Sequence, residues 1–181
     1  ASGYARRCFN TSVLIGPGGK VLAAYRKIHL FDVDLGPAAT HKESETVLAG
    51  DQVAVVEVDR WCVGLSVCYD LRFPEFYRKL IDLGAQILCV PSAFTLHTGK
   101  DHWDVLVRAR AIENQCYVIA AAQWGSHGGG RVTWGKTQVV DPWGTPLAIA
   151  PEREGFVLAT LDPVAQDGFR ARLPCLHHRR F

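Results

Sequence analysis

The chain has 181 residues, 48% of them hydrophobic and 21% charged, with a formal net charge of +2. That suits one globular domain with a core of its own, and it gives no reason to expect nucleic acid or an anionic membrane surface as partner. No apolar run approaches the roughly 20 residues needed to cross a bilayer.

The elements follow in chain order. "TSVLIGPGGKVLAAYRKIHL" reads as two strands joined by a Gly-rich turn, a hairpin pattern. "DVDLGPAATHKESETVLAGD" is a long polar segment, and such loops inside a compact domain are usually functional. "VAVVEVD" and "WCVGLSVC" read as strands. "PEFYRKLIDLG" opens with Pro and closes with Gly, which marks a helix. "AQILCVPSAF" is a continuous apolar run, expected as a strand covered on both faces. "DHWDVLVRARAIENQ" has apolar residues three and four apart and reads as a second helix. "CYVIAAAQW", "TWGKTQVVDPWGTPLAIA" and "GFVLATLD" supply further strands, and "PVAQDGFRARL" a short last helix. Strands alternating with helices on a buried sheet predict an α/β layered fold.

The six cysteines contain no C-x-x-C pair, which speaks against zinc or a thioredoxin-type site. Four lie in apolar, strand-like surroundings and read as reduced core thiols of an intracellular protein. Cys68 differs, because it sits where "CVGLSV" stops and a polar turn begins. A side chain on such an elbow is exposed, and the amides after it point into the site, an arrangement that suits a nucleophile beside an oxyanion hole. Arg72 and the helix from Pro74 would favour the thiolate. The competing reading is one more core thiol. The polar neighbours Tyr69, Asp70, Arg72 and Glu75 speak against it.

A cysteine nucleophile needs a proton acceptor and charge stabilisation. His29, His41, His97, His102 and His127 are candidate bases without a distinctive setting. Lys27 ends an apolar strand, as Cys68 does, and two strands ending at one sheet edge would bring the two together. Its ammonium would then lower the thiol pKa and support an oxyanion. Alone, Lys27 reads equally as a solvated strand end. "GRVTWGKT" matches a phosphate-loop pattern letter for letter, but no helix is expected after it, so nucleotide binding is set aside.

Taken together, "YRKIHLFD", "GLSVCYDLRFPE", "PSAFTLHTGKDHWDVLVRARAIENQCYVIAAAQ" and "DPWGTPLA" resemble, in order, the motifs of the nitrilase/amidase (carbon–nitrogen hydrolase) superfamily, and within it the Nit branch. The resemblance implies a nitrilase-like α-β-β-α sandwich, formed here by a single domain over residues 1–181 that corresponds to the family's C-terminal two-thirds. It implies a Glu-Lys-Cys site with no cofactor and no metal, and a homodimer in the cytoplasm or mitochondrion. The implied substrate is a small carboxylate-bearing amide, such as deaminated glutathione or α-ketoglutaramate, cleaved through a cysteine thioester.

Residue by residue, Cys68 matches the nucleophile and Lys27 the triad lysine. Glu43 matches a second glutamate that positions the lysine. Arg72, Phe94 and Thr98 match substrate contacts, with Arg72 pairing a substrate carboxylate, and the amide of Tyr69 matches an oxyanion donor. Outside the resemblance, Glu43 reads as a solvated loop charge and Arg72 as a local partner of Asp70 or Glu75. Phe94 and Thr98 read as a strand-end aromatic and a loop hydroxyl. The family's general-base glutamate lies upstream of the lysine, and no residue in "ASGYARRCFNTSVLIG" matches it. The expectation is therefore a fold without its first β-α-β-α portion. Such a chain would be either an amidase of reduced activity or a catalytically impaired partner or scaffold.

Overall fold

The computed structural model describes residues 7–34, 36 and 40–180. Strand β1 (Cys8–Phe9) is followed by the hairpin of β2 (Thr11–Ile15) and β3 (Val21–Arg26), as the Gly-Pro-Gly-Gly turn predicts. A second hairpin joins β4 (Asp32–Asp34) to β5 (Thr40–Lys42). A short 3-10 turn at Glu43–Glu45 then leads into β6 (Val47–Leu48), parallel to β1.

The remaining strands build the main sheet. They are β7 (Ala54–Val58), β8 (Trp61–Leu65), β9 (Ile87–Cys89), β10 (Tyr117–Ala120), β13 (Gln138–Val140) and β14 (Pro146–Ile149), in the spatial order β14-β13-β10-β9-β8-β7. The three central strands are parallel and the flanking pairs antiparallel. Between β10 and β13 the chain makes a small ribbon, β11 (Trp124–Ser126) with β12 (Val132–Trp134).

Parallel neighbours need crossovers, and the two central ones are helical. Helix α1 (Pro74–Asp82) links β8 to β9, and α2 (Leu96–Asn114) links β9 to β10. The core lies between these helices and the sheet. It gathers Leu71, Tyr77, Leu80, Leu88, Val90, Trp103, Val107 and Val118, all fully buried. All three sequence-predicted helices are present, and the last, α3 (Pro163–Arg172), starts where Asp162 accepts from the Val164 amide. Helix α2 starts five residues before the expected Asp101. The reason is local: the Thr95 hydroxyl accepts from the Thr98 amide and caps a first turn at Leu96.

One expected strand is missing from the structure. "GFVLATLD" forms no strand among the described residues, and Phe156 and Leu158 stand 81% and 83% exposed. β-propensity supplies side chains for a sheet surface, but a ladder also needs a neighbouring edge. As expected, no helix follows the phosphate-loop pattern: it runs through β12 and ends at Thr137, directly before β13.

Candidate active site

Strand β3 alternates: Ala23, Tyr25 and then Lys27 face inward, and Tyr25 and Lys27 are buried. Burying an ammonium requires a partner. Lys27 finds it in Glu43, whose carboxylate forms an ion pair with Nζ. Glu43 also accepts from the Phe31 amide at 2.7 Å and from Asn10 Nδ2 at 3.3 Å. The backbone around Lys27 is equally fixed. Its N–H donates to the Asn10 carbonyl and its carbonyl accepts from Gly50, both at 2.8 Å. Gly50 has to be glycine, because a Cβ there would fall 2.2 Å from the Arg26 carbonyl oxygen.

Cys68 stands beyond the end of β8, on the first residue of a 3-10 turn, Cys68–Arg72, that leads to α1. Its φ is +49°, a left-handed conformation that costs a non-glycine residue about 1–3 kcal/mol. The surroundings hold that conformation. The Cys68 amide donates to the Pro91 carbonyl at 2.9 Å. Ser66 donates to the Cys89 carbonyl and accepts from Tyr77 Oη, at 2.8 and 2.9 Å.

The main anchor is Asp70, which is fully buried. Its Oδ2 accepts from Tyr25 Oη and from the Val67 amide, each at 2.8 Å. Its Oδ1 accepts from the His29 amide at 3.2 Å and contacts His29 Nδ1 at 2.7 Å. The His29 ring lies flat on Phe73, with centroids 3.8 Å apart. Tyr25 and His29 bracket Lys27, and Val67 precedes Cys68. One carboxylate thus holds the lysine segment and the cysteine elbow together.

The electrostatics differ from the simplest expectation. Burial pushes the Cys68 thiol above its usual range, more than the Ala93 amide and the Lys27 charge lower it, and Glu43 and Asp70 push it up further. Burial also raises the Glu43 carboxyl, but Lys27, the Phe31 amide and Asn10 together hold it below the usual carboxylate range. The expected thiolate-favouring field of Lys27 is present but outweighed by burial of the thiol.

Lys27, Glu43 and Cys68 line one open cleft of ≈ 1490 Å³. Pro91–Ala93 line it beside Cys68. The start of α2 and the turn between β11 and β12 form one wall. His41, His97 and His127 also line it, whereas His29 is bound to Asp70 and His102 contacts Arg72 at 3.3 Å.

The four residues matched to substrate contacts stand elsewhere. Tyr69 packs its ring edge-on against Phe31 and Phe73 and does not line the cleft. Arg72 pairs with neither Asp70 nor Glu75; it points to His102 and lies over the Phe94 ring. Phe94 is a core residue against Trp103. Thr98 shares a 2.9 Å hydroxyl contact with Thr95 at the α2 cap.

Sequence reasoning missed Tyr25 and Asp70 as site residues. The available signal was their spacing, each two positions from a candidate on an extended or turning segment. Among the described residues, no group of three or more His, Cys, Asp and Glu could hold a metal, and no helix is long and apolar enough to cross a membrane.

A family model described as carbon-nitrogen hydrolase matches residues 2–169. A deaminated glutathione amidase from Synechocystis is 50% identical over 182 residues, which cover 99% of this chain and 67% of that protein. The rat (Rattus norvegicus) protein of the same name is 46% identical over 97% of this chain, but over only 54% of its own length. Among solved structures, the C. elegans NitFhit protein superposes with a TM-score of 0.91 at 45% identity, covering 97% of this chain and 43% of that one. Saccharomyces cerevisiae Nit3 gives 0.85 at 35% identity, covering 96% and 60%. The chain thus spans about two thirds of the Synechocystis relative and about half of the rat one.

Proposed function

This chain belongs to the carbon–nitrogen hydrolase family, and we propose that its cleft hydrolyses a small carboxylate-bearing amide of the deaminated glutathione type, with Cys68 as nucleophile. The observation that carries this reading is the convergence of a strained, amide-anchored cysteine and a buried lysine–glutamate pair on one cleft. The names of the Synechocystis and rat relatives support the substrate class.

In this reading Cys68 Sγ attacks the amide carbonyl carbon. The carbonyl oxygen takes up the electron pair and is stabilised by the Lys27 ammonium. The C–N bond breaks, the amine leaves with a proton, and a thioester remains. Water then attacks the thioester and frees the acid. Because burial raises the Cys68 thiol pKa, the thiol enters the reaction protonated and needs a base. Asp70 is taken up by four hydrogen bonds within the clamp, and Lys27 and two further donors hold Glu43 ionised, so Glu43 is a weak base. In this scheme the thiol proton passes to the departing amine nitrogen, and Glu43 serves to hold Lys27.

Self-association is part of the same proposal. Trp143, which stacks on Phe169, is exposed, and so are Ile112, Leu147 and Ile149. Exposed apolar residues of this size favour an interface between subunits.

The test is to incubate the 181-residue chain with deaminated glutathione and follow release of the amine product, with Cys68→Ala as control. The proposal expects release that the control abolishes. Release that persists in the control would overturn the assignment of Cys68. No release, with Cys68 still open to alkylation, would overturn the amidase reading for this chain.

A further inference from the structure

Four cationic side chains line the cleft, Lys27, Lys42, Lys100 and Arg131, against one carboxylate, Glu43. That excess of three exceeds the net charge of +2 of the whole chain, so positive charge is concentrated here. Lys27 is committed to Glu43, and exposed Lys42 lies 4.0 Å from Glu45. Among the described residues, neither Lys100 nor Arg131 has a carboxylate within 4.0 Å.

The fold sets these two on one wall. Lys100 follows Gly99, where a Cβ would fall 2.3 Å from the Trp134 Cβ, so this turn of α2 abuts β12 directly. Arg131 immediately precedes β12. The wall is tied at several points. The Trp134 amide donates to the Phe94 carbonyl at 2.9 Å, and His127 Nε2 meets the Thr133 hydroxyl at 2.6 Å. Within the turn, the His127 amide donates to the Arg131 carbonyl at 2.9 Å, and Gly128–Gly130 adopt φ of +78°, +57° and +76°.

Arg72, the residue matched to a substrate carboxylate, does not line the cleft. The cleft itself, at ≈ 1490 Å³, is larger than the roughly 300–1,000 Å³ of ordinary small-ligand pockets. It has room for more than an ω-amide.

We propose that Lys100 and Arg131 form a carboxylate subsite for a substrate whose leaving amine ends in a free carboxylate, as a short peptide does. In a γ-glutamyl-type tripeptide amide that carboxylate lies two residues beyond the scissile bond, roughly 7 Å at about 3.3–3.6 Å per residue. The guanidinium fork of Arg131 suits bidentate contact with the carboxylate, and Lys100 adds a mobile point charge. The subsite rests on the amidase reading above for which side of the amide it serves.

The test measures binding, so it stands apart from turnover. In a Cys68→Ala background, calorimetry compares deaminated glutathione with its glycine methyl ester, and then repeats the pair in Lys100→Gln/Arg131→Gln. Both side chains are exposed, so the substitutions leave the fold intact. The acid should bind about tenfold more tightly than the ester in the parent, and the ratio should fall to near one in the double variant. An acid-to-ester ratio near one in the parent, or an unchanged ratio in the variant, would overturn the subsite even if the chain turns over its substrate. A collapsed ratio in a chain that hydrolyses nothing would keep the subsite and sink the amidase reading.

Discussion

Tyr25 Oη donates to Asp70 Oδ2 at 2.8 Å, and this one bond joins the strand that carries Lys27 to the elbow that carries Cys68. The hydroxyl also accepts from the Ile28 amide at 3.1 Å. Tyr25→Phe keeps the ring and deletes both contacts. It leaves a buried carboxylate oxygen and an amide each short of a partner, which should cost about 1–3 kcal/mol in urea denaturation. A loss below about 0.5 kcal/mol would mean that the clamp relaxes without it.

Lys27→Met should lower amide turnover at least about 100-fold, the usual cost of losing one oxyanion donor. Lys27→Arg should not restore it, because the buried slot beside Glu43 is shaped for an ammonium. Steady-state kinetics on the three proteins checks this. A wild-type rate in Lys27→Met would remove the lysine from the chemistry.

The Glu43 carboxyl is held below its ordinary value of 4.5 in the folded chain. A depressed acid contributes stability that is present above the unfolded pKa and is lost as pH falls through the folded one. Stability should therefore decline below about pH 4.5 as Glu43 takes up a proton. Glu43→Gln should flatten that part of the curve, as read from urea midpoints between pH 6 and pH 3. Parallel curves for the two proteins would assign the acid sensitivity elsewhere.

Burial raises the Cys68 thiol above its ordinary value of 9.0. Alkylation by iodoacetamide requires the thiolate, so its rate at Cys68 should climb with pH to a midpoint above that value. Lys27→Met should move the midpoint higher still, since the lysine charge is one of the influences that lower it. A midpoint under 8 would show that the lysine field prevails over burial.

Gly99→Ala tests the packing that sets the cleft wall. Alanine is the better helix former by up to about 1 kcal/mol. The added methyl, however, would meet the Trp134 Cβ at 2.3 Å, and overpacking of this kind costs about 1–3 kcal/mol. The clash should prevail, and the melting temperature should fall. A rise would mean that α2 and β12 part easily.

Much of the fold was legible because it is local. The turn at Gly16–Gly19, the Pro74 start of α1 and the Asp162 cap of α3 are chemistry written in adjacent residues, and each element appears where its signal stands. The early start of α2 was legible too, in the Thr95 hydroxyl, but the apolar periodicity drew the boundary later. "GFVLATLD" was misread because β-propensity says nothing about whether an edge is available.

The chain order of the motifs by itself determined the α/β class, the family and the candidates Lys27, Glu43 and Cys68. Strand and helix patterning carries the α/β class, and the resemblance of the ordered motifs carries the family and, with it, Glu43. What only the tertiary structure decided is which side chains share a space. It turned Arg72 toward His102 and Phe94, put Phe94 and Thr98 into packing and capping, and made Asp70, read as a neighbour of Arg72, the joint between two distant segments. The physical reason is burial. A carboxylate enclosed by the core takes whichever donors the fold brings within reach, and for Asp70 these lie 45 and 41 residues away in sequence.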